Sequence, residues 1–517
     1  MRLAAGILIA LIMAGSVKAG DVPQAGDVWY RDAQKALAAR KAVKPNGKSA
    51  KNVILFLGDG MDPTTVTAAR ILDGQTRGQS GEENLLSFEK FPYLAMSKTY
   101  NTNAQVPDSA GTMSAIVTGV KTKAGVLSIT DKAAHGDCAS ALASPAATLG
   151  ELAEQAGMAT GVVTTTRITH ATPGAVYAHV PNRDWESDAT LPPEAAAQGC
   201  KDIARQLLEF PYGDGLEVAL GGGRMNFLTA DETDPEYADR KGARRDGRDL
   251  TAEWTRKSSN HRFVWNKQQF DAVDASAGPR LLGLFESSHM QWEADRAKDV
   301  GGEPSLAEMT AKAIDILSQD KDGFFLMVEA GRIDHGHHAG NAARALYDTQ
   351  ALSKAVETAL AKTNAKNTLI VVTADHGHTM SIQGYAARGT NILGLSTPIS
   401  GGEGGESAGG YALALDKKPY STLAYANGPG SVFAGELKDG KRPTPRKAEV
   451  EDLSYRQQST TPMYSETHGG QDVTIYANGP HAYLFGGVVE QNYIYHVVDD
   501  ALGLSARAAK ASLKLRD

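Results

Sequence analysis

The 517 residues are 42% apolar and 22% charged, the ordinary balance of a globular protein. A formal net charge of −7 offers no basic face for nucleic acid. The length admits two or three average domains, but an α/β enzyme with insertions reaches it as one, so length alone does not decide.

At the N-terminus, Met1-Arg2 precedes an almost wholly apolar, small-residue run from Leu3 to Gly15, and Ser16-Val17-Lys18-Ala19 follows with small residues at the cleavage positions. The pattern predicts a secretory signal peptide over 1–19, because the run falls short of the roughly 20 residues a membrane span needs. Trp29, Tyr30, Ala33, Leu37 and Ala38 recur at helical spacing and predict an amphipathic helix over 28–42. It belongs to an N-terminal arm of residues 20–50 that packs against this or another subunit. Lys44-Pro45-Asn46-Gly47 ends that helix, and the strand-like run Val53 to Leu57 follows, delivering Gly58-Asp59-Gly60. Residues 64–72 have helical composition. Pro107 then closes an extended stretch, and Ser109 opens a helix of small residues running to about Val120. A serine at a helix start is ordinarily an N-cap. Here the free amides and positive dipole end favour an anion, and the small residues behind Ser109 let a backbone or substrate approach closely.

The next strand, over 159–165, ends at Thr169-His170-Ala171-Thr172. Asn182-Arg183-Asp184-Trp185 places an arginine in a loop, where it is solvent-exposed unless an oxyanion takes its bidentate fork. Cys138 and Cys200 are the two cysteines of the chain, and an even pair in an exported protein predicts a disulfide rather than metal ligands. A strand over 281–285 and a helix over 310–317 lead to the apolar run Phe324 to Glu329. Past its end, Asp334-His335-Gly336-His337-His338 reads as a polar, Gly-spaced loop. Leu369 to Thr373 is a further β-branched strand, ending at Asp375-His376. Residues 384–461 are rich in Gly, Pro and Ser without helical period and predict an inserted, loop-rich subdomain. The core resumes with Glu466-Thr467-His468-Gly469-Gly470 and a strand over 473–476.

Three buried-type strands thus each present carboxylates or imidazoles at their carboxyl ends, where open α/β sheets build their sites. Hard carboxylates mixed with imidazoles and no thiolate fit zinc with an oxygen-preferring ion beside it. Several metals close together suit phosphoryl transfer, with Ser109 as the hydroxyl they activate.

Asp108-Ser109-Ala110-Gly111-Thr112, the Gly58-Asp59-Gly60-Met61 turn, Asp334 to His338, Thr373-Ala374-Asp375-His376 and Glu466 to Gly470 together resemble the alkaline phosphatase family, from about Trp29 to Gly503. Asn182 to Trp185 and Tyr100 to Thr112 follow its animal pattern more closely than the enterobacterial one. The resemblance implies a three-layer α/β/α sandwich with a mostly parallel sheet, a catalytic domain of 51–383 and 462–517, and a crown-like insert of 384–461. It implies two Zn2+ and one Mg2+. Asp334, His338 and His468 would hold one zinc; Asp59, Asp375 and His376 the other, beside Ser109. Asp59, Thr172 and Glu329 would hold magnesium. Arg183 would clamp two phosphate oxygens, Asp108 would orient it, and Ser109 would pass through a phosphoserine. His170 and His335 stand where enterobacterial members carry an Asp and a Lys, and would act on the magnesium's waters and on the bound phosphate. A Ca2+ site is implied at Glu236, the Phe285 carbonyl, Glu286 and Glu303, although the stretch from Glu286 to Glu303 is longer than the family's and Glu303 replaces its usual Asp. The implied protein is an exported homodimer acting on small-molecule phosphate monoesters. Turnover of phosphodiesters or sulfate esters, and phosphate binding without turnover, are the alternatives. Arg183 argues against the diester, since its fork wants two unsubstituted oxygens, and an intact Ser109 argues against mere binding.

Overall fold

A strand with an unbroken apolar run must be covered on both faces. In the computed structural model, which describes residues 22–400, 405–433 and 442–514, Val53 to Leu57 form such a run within Asn52–Gly58 (β1), and it lies inside a ten-stranded sheet. The other strands of this sheet, numbered along the chain, are Tyr93–Lys98 (β2), Ala159–Arg167 (β3), Val218–Gly222 (β4), His261–Val264 (β5), Arg280–Leu284 (β6), Phe324–Ala330 (β7), Thr368–Ala374 (β8), Val473–Asn478 (β9) and Val488–Glu490 (β10). Their spatial order is β10-β2-β9-β8-β1-β7-β3-β4-β6-β5. From β8 to β5 every pairing is parallel; β9 runs antiparallel to both β8 and β2.

Alternate residues of β1 face two separate cores. Val53, Leu55 and Leu57 join one, with residues of the helices Ser109–Thr118 and Tyr493–Leu502; Ile54 and Phe56 join the other, with residues of Pro63–Thr76, Leu306–Leu317 and Ala342–Lys362. The result is the predicted three-layer sandwich. In chain order these helices and two that follow below are α1 (Val28–Ala42), α2 (Pro63–Thr76), α3 (Ser109–Thr118), α4 (Leu306–Leu317), α5 (Arg332–His338), α6 (Ala342–Lys362) and α7 (Tyr493–Leu502).

The register of the sheet sets the site. Gly58 is level with Ala330 on β7 and Ala374 on β8, and Glu329 is level with Leu57 and with Thr164 on β3. Asp59, Asp375 and Glu329 therefore reach the same edge without any loop having to travel.

Several local expectations are corrected. Residues 334–338 are not a loop but most of α5, and Gly336 is there for contact rather than for a turn: a Cβ on it would lie 2.7 Å from the Ala345 nitrogen of α6. Helix α4 begins at Leu306, four residues before the predicted start. Ser305 and Glu308 form a reciprocal capping box there, the Glu308 N–H donating to Ser305 Oγ at 3.2 Å and the Ser305 N–H to Glu308 Oε2 at 2.7 Å. The helix α1 spans the predicted residues, and the chain divides into two compact units after Pro45. The described part of 384–461 is not all loop: its strand Leu423–Gly428 pairs with Met380–Ile382, just before that range, and with Ser459–Pro462, which crosses its end. The expected signal peptide lies outside the described residues. Among those described, no helix is long and apolar enough to cross a membrane.

Candidate metal centre

Asp108, not Ser109, caps α3. Its Oδ1 accepts the Gly111 N–H at 3.0 Å, and its Oδ2 accepts from the Gly125 N–H at 2.9 Å and from Arg183 Nη1 at 3.3 Å. The cap leaves the Ser109 hydroxyl free. It sits buried at the positive end of the helix, with Oγ 3.4 Å from both carboxylate oxygens of Asp59 and 3.0 Å from His376 Nε2.

Around it the predicted ligands converge as two clusters and a third group. Asp59, Asp375 and His376 place ligand atoms within 4.8 Å of one another, and so do Asp334, His376, His378 and His468. His338 completes the second set, its Nε2 lying 3.2 Å from Asp334 Oδ1 and 3.1 Å from His468 Nε2. The spacing that looked like a loop motif is the i, i+4 spacing of one helix face, which puts Asp334 and His338 side by side on α5. Both imidazoles are set for a metal: His338 Nδ1 donates to the Glu466 carbonyl at 2.5 Å and His468 Nδ1 to the Pro107 carbonyl at 2.7 Å, which leaves each Nε2 with a lone pair.

The electrostatics point the same way. Burial, and then repulsion from Asp375, Asp334 and Glu329, pushes the Asp59 carboxyl well above the usual range. Burial raises Asp375 as well, and pushes Glu329 up to about 7. Buried carboxylates that repel one another at this distance want a cation between them. Burial holds the His376 imidazole well below its ordinary value, the neutral form a metal ligand needs. Thr172 Oγ1 and Glu329 Oε1 are buried without a hydrogen-bond partner, whereas Glu329 Oε2 accepts from Thr164 and, at 3.2 Å, from Thr166. Those two orphan oxygens and Asp59 are the set expected for magnesium. The residues present fit a multi-metal centre.

Arg183 reaches the site from its loop, held by its backbone N–H on the Gly125 carbonyl at 2.9 Å and by His170 Nε2, which accepts from Nη2 at 3.0 Å. His335 accepts from Arg332 Nη1 at 2.9 Å. The calcium candidates also gather: Glu303 is pushed up to about 9 by burial and then by Asp299 and Glu286, and Glu236 acts on it too. Phe285 is buried beside Glu286. Cys138 and Cys200 form a disulfide with Cα atoms 6.0 Å apart.

Four residues that sequence reasoning did not name as candidates lie against these clusters. His378 lies two residues past His376, buried, with Nδ1 donating to Glu466 Oε2 at 2.6 Å and Nε2 against Asp334 Oδ1 at 2.9 Å. Glu466 also accepts from Thr379 N at 2.7 Å and from its hydroxyl at 2.6 Å, so this buried carboxylate is fully engaged. Asp299 joins the calcium candidates, with both carboxylate oxygens buried and unpartnered. His289 packs its ring 4.2 Å from that of His335. For His378 the signal was available, since strand alternation from His376 returns two residues later to the same side; the others needed the fold.

Comparison with known proteins decides the family: the alkaline phosphatase family model matches residues 50–504. The chain belongs to the alkaline phosphatase family. It is 45% identical to the tissue-nonspecific alkaline phosphatase of Mus musculus over 477 residues, covering 91% of this chain and 87% of that one. It is 43% identical to the alkaline phosphatase of Gadus morhua over 477 residues, covering 91% and 95%. Among solved structures, the alkaline phosphatase of Thermus thermophilus superposes with a TM-score of 0.61 at 24% identity, covering 92% of this chain and 98% of that chain. That of the Antarctic bacterium TAB5 gives 0.58 at 22%, covering 88% and 99%. The structural likeness confirms the sandwich, and the sequence likeness to vertebrate alkaline phosphatases agrees with the animal-type motifs. This alkaline phosphatase is a metal-dependent phosphatase by family, with clusters of candidate ligands in the expected places.

Proposed function

We propose that the protein hydrolyses phosphate monoesters through a phosphoserine at Ser109, at a centre holding two Zn2+ and one Mg2+. The observation that carries this is the Ser109 hydroxyl, relieved of capping by Asp108 and set within 3.4 Å of Asp59 and 3.0 Å of His376. Asp334, His338 and His468 would hold one zinc, Asp59, Asp375 and His376 the second, and Asp59, Thr172 and Glu329 the magnesium. When bound, the ions supply activation of the hydroxyl and neutralisation of the leaving oxygen. Arg183, fixed by Asp108 and His170, offers its fork to two unsubstituted phosphate oxygens and so selects a monoester over a diester. Ser109 forms the ester bond with phosphorus as the alcohol departs, and water then cleaves the phosphoserine.

Export fits the Cys138–Cys200 disulfide, since such bonds persist in oxidising compartments. A homodimer fits the exposed Val28, Trp29 and Leu37 of α1. Calcium fits the raised Glu303 and Asp299 carboxyls beside Glu236 and Glu286, with the Phe285 carbonyl adjacent. The test of the chemistry is Ser109→Ala with matched mono- and diester substrates, with and without chelator. Monoester turnover is expected to fall at least ~10³-fold in the variant and to vanish with chelator in the wild type. A diester preference, or an unimpaired variant, rejects the reading.

A further inference from the structure

His337 is the histidine of α5 that the metal centre leaves over. It directly precedes the candidate ligand His338 and is buried, yet both of its nitrogens are taken. Nε2 lies 3.1 Å from Thr65 Oγ1 on α2, and Nδ1 lies 2.8 Å from the hydroxyl of Tyr425 on the strand Leu423–Gly428. The directions of these bonds are set from one end. Asp62, the N-cap of α2, accepts the Thr65 N–H at 2.8 Å and the Thr65 hydroxyl at 2.9 Å, both on Oδ1. A hydroxyl has one proton to give, so Thr65 Oγ1 must accept from His337. The ring proton therefore sits on Nε2, and Nδ1 accepts from the Tyr425 O–H. Tyr425, His337, Thr65 and Asp62 make one directed chain, all of it buried, and no lone pair on His337 is left for a metal.

The chain holds the face of His378. The two rings are stacked, with centroids 4.6 Å apart and planes 29° from parallel. At its edges His378 is gripped by Glu466 Oε2, 2.6 Å from Nδ1, and by Asp334 Oδ1, 2.9 Å from Nε2. Edge contacts set how far a ring reaches; the surface packed on its face sets its tilt, and a hydrogen bond weakens as its donor tilts off line. Asp334 Oδ1 also lies 3.2 Å from His338 Nε2 and 3.3 Å from His468 Nε2, so the tilt of His378 bears on the oxygen shared by that candidate ligand set. The far end of the chain returns to the same residue. Gln471 Nε2 donates to Asp62 Oδ2 and, at 2.7 Å, to the His378 carbonyl. Ring face and backbone of His378 are thus both tied to Asp62.

We propose that Tyr425, His337, Thr65 and Asp62 are positioning residues for the zinc assigned to Asp334, His338 and His468, acting through the face of His378. This rests on the two-zinc reading above and adds four residues that touch neither the metal nor the substrate; through Tyr425 it makes the inserted segment part of the centre's support. The test follows zinc release from the metal-replete enzyme into excess chelator, read from the absorbance of the zinc–chelator complex. Tyr425→Phe and Thr65→Val each cut the chain while nearly keeping side-chain volume. In each, one of the two zinc equivalents should leave about tenfold faster than from the wild type, the scale on which partners of metal ligands act, and the other within about twofold. Thr65→Ser, which keeps the hydroxyl, should release zinc at the wild-type rate. Because both changes cut the same chain, the double variant should be no faster than the quicker single one. Equal acceleration of both zinc ions, a Thr65→Ser as fast as Thr65→Val, effects that multiply in the double variant, or rates unchanged throughout overturn the positioning role. Should Thr65→Val not fold, Tyr425→Phe decides by the same criterion of one zinc and not both. Wild-type protein that takes up no zinc overturns the two-zinc reading, and the positioning role with it.

Discussion

A single carboxylate, Asp108, does two jobs that usually fall to two residues. One oxygen caps α3 and the other braces Arg183, so the helix of the proposed nucleophile and the proposed phosphate clamp are tied together. Because the guanidinium also lies on His170, its plane is fixed before substrate arrives, and little rotamer entropy remains to be lost on binding. Lysine keeps the charge but neither the fork nor the two anchors. Arg183→Lys is expected to lower kcat/KM for a monoester by about 10- to 100-fold. Steady-state kinetics with saturating metal checks this, and a fall of less than about twofold means that the fork does not grip the phosphate.

At the scale of elements, strand ends and helix faces divide the labour. β1, β7 and β8 bring Asp59, Glu329 and Asp375 to one edge, while α5 contributes Asp334 and His338 one turn apart. The turn after β1 is the tightest joint in this arrangement. Gly60 has φ +70°, its N–H donates to Asp375 Oδ1 at 3.1 Å, and a Cβ on it would lie 2.3 Å from His378 Nε2. Any side chain there meets both the left-handed backbone penalty of about 1–2 kcal/mol and a buried ring. Gly60→Ala should displace His378 from Asp334, lowering bound zinc per chain and the melting temperature together. Metal analysis after dialysis and a thermal scan test it; full metal retention with an unchanged midpoint would show that the turn has slack.

Over the whole molecule, two features outside the candidate site bear on stability. The Cys138–Cys200 disulfide spans 62 residues of sequence, and closing such a loop removes on the order of 4 kcal/mol of unfolded-state entropy in the chain-entropy model. Thiol titration of unreduced, denatured protein should find no free thiol, and Cys138→Ser with Cys200→Ser should lower the unfolding free energy by about 2–4 kcal/mol. Two titratable thiols in the wild type would end the idea. The second feature is the pair Glu154 and Glu217. Glu154 Oε1 accepts from Thr160 Oγ1 at 2.5 Å and Glu217 Oε2 from the Thr160 N–H at 2.7 Å. Burial, then repulsion from Glu217, pushes Glu154 up to about 9, and burial pushes Glu217 up to about 7, from an ordinary 4.5. Both hold protons more tightly folded than unfolded, so the stability they contribute is complete below about pH 4.5 and is lost as pH rises through 7 and then 9. Glu154→Gln keeps an acceptor for Thr160 and removes the higher titration. It should be more stable than the wild type at pH 9–10 by about 1 kcal/mol or more, with the gap shrinking toward pH 5. Denaturant midpoints across that range check the sign, and a gap that is flat with pH rejects it.

Much of this protein was legible along the chain because its site is built on regular elements. Apolar runs of strand length announce buried strands, and a carboxylate or imidazole just past such a run lies at a sheet edge whatever the rest of the fold does. Hence Asp59, Asp375, His376 and Asp334 could be named as candidate ligands, and Ser109 as the candidate hydroxyl, from local pattern and family resemblance, and the fold brings them together. Tertiary structure decided everything that depends on residues distant in sequence. Gly336 looked like a loop residue until α6 was packed against it, since a close helix contact and a turn both call for glycine. Ser109 could have been a cap until Asp108 was seen in that place. His378 meets Glu466, 88 residues away, and His289 meets Arg167, 122 residues away. Whether a histidine is set to offer a lone pair to a metal depends on what faces its second nitrogen, and that partner is set by long-range packing, which has no local period to read.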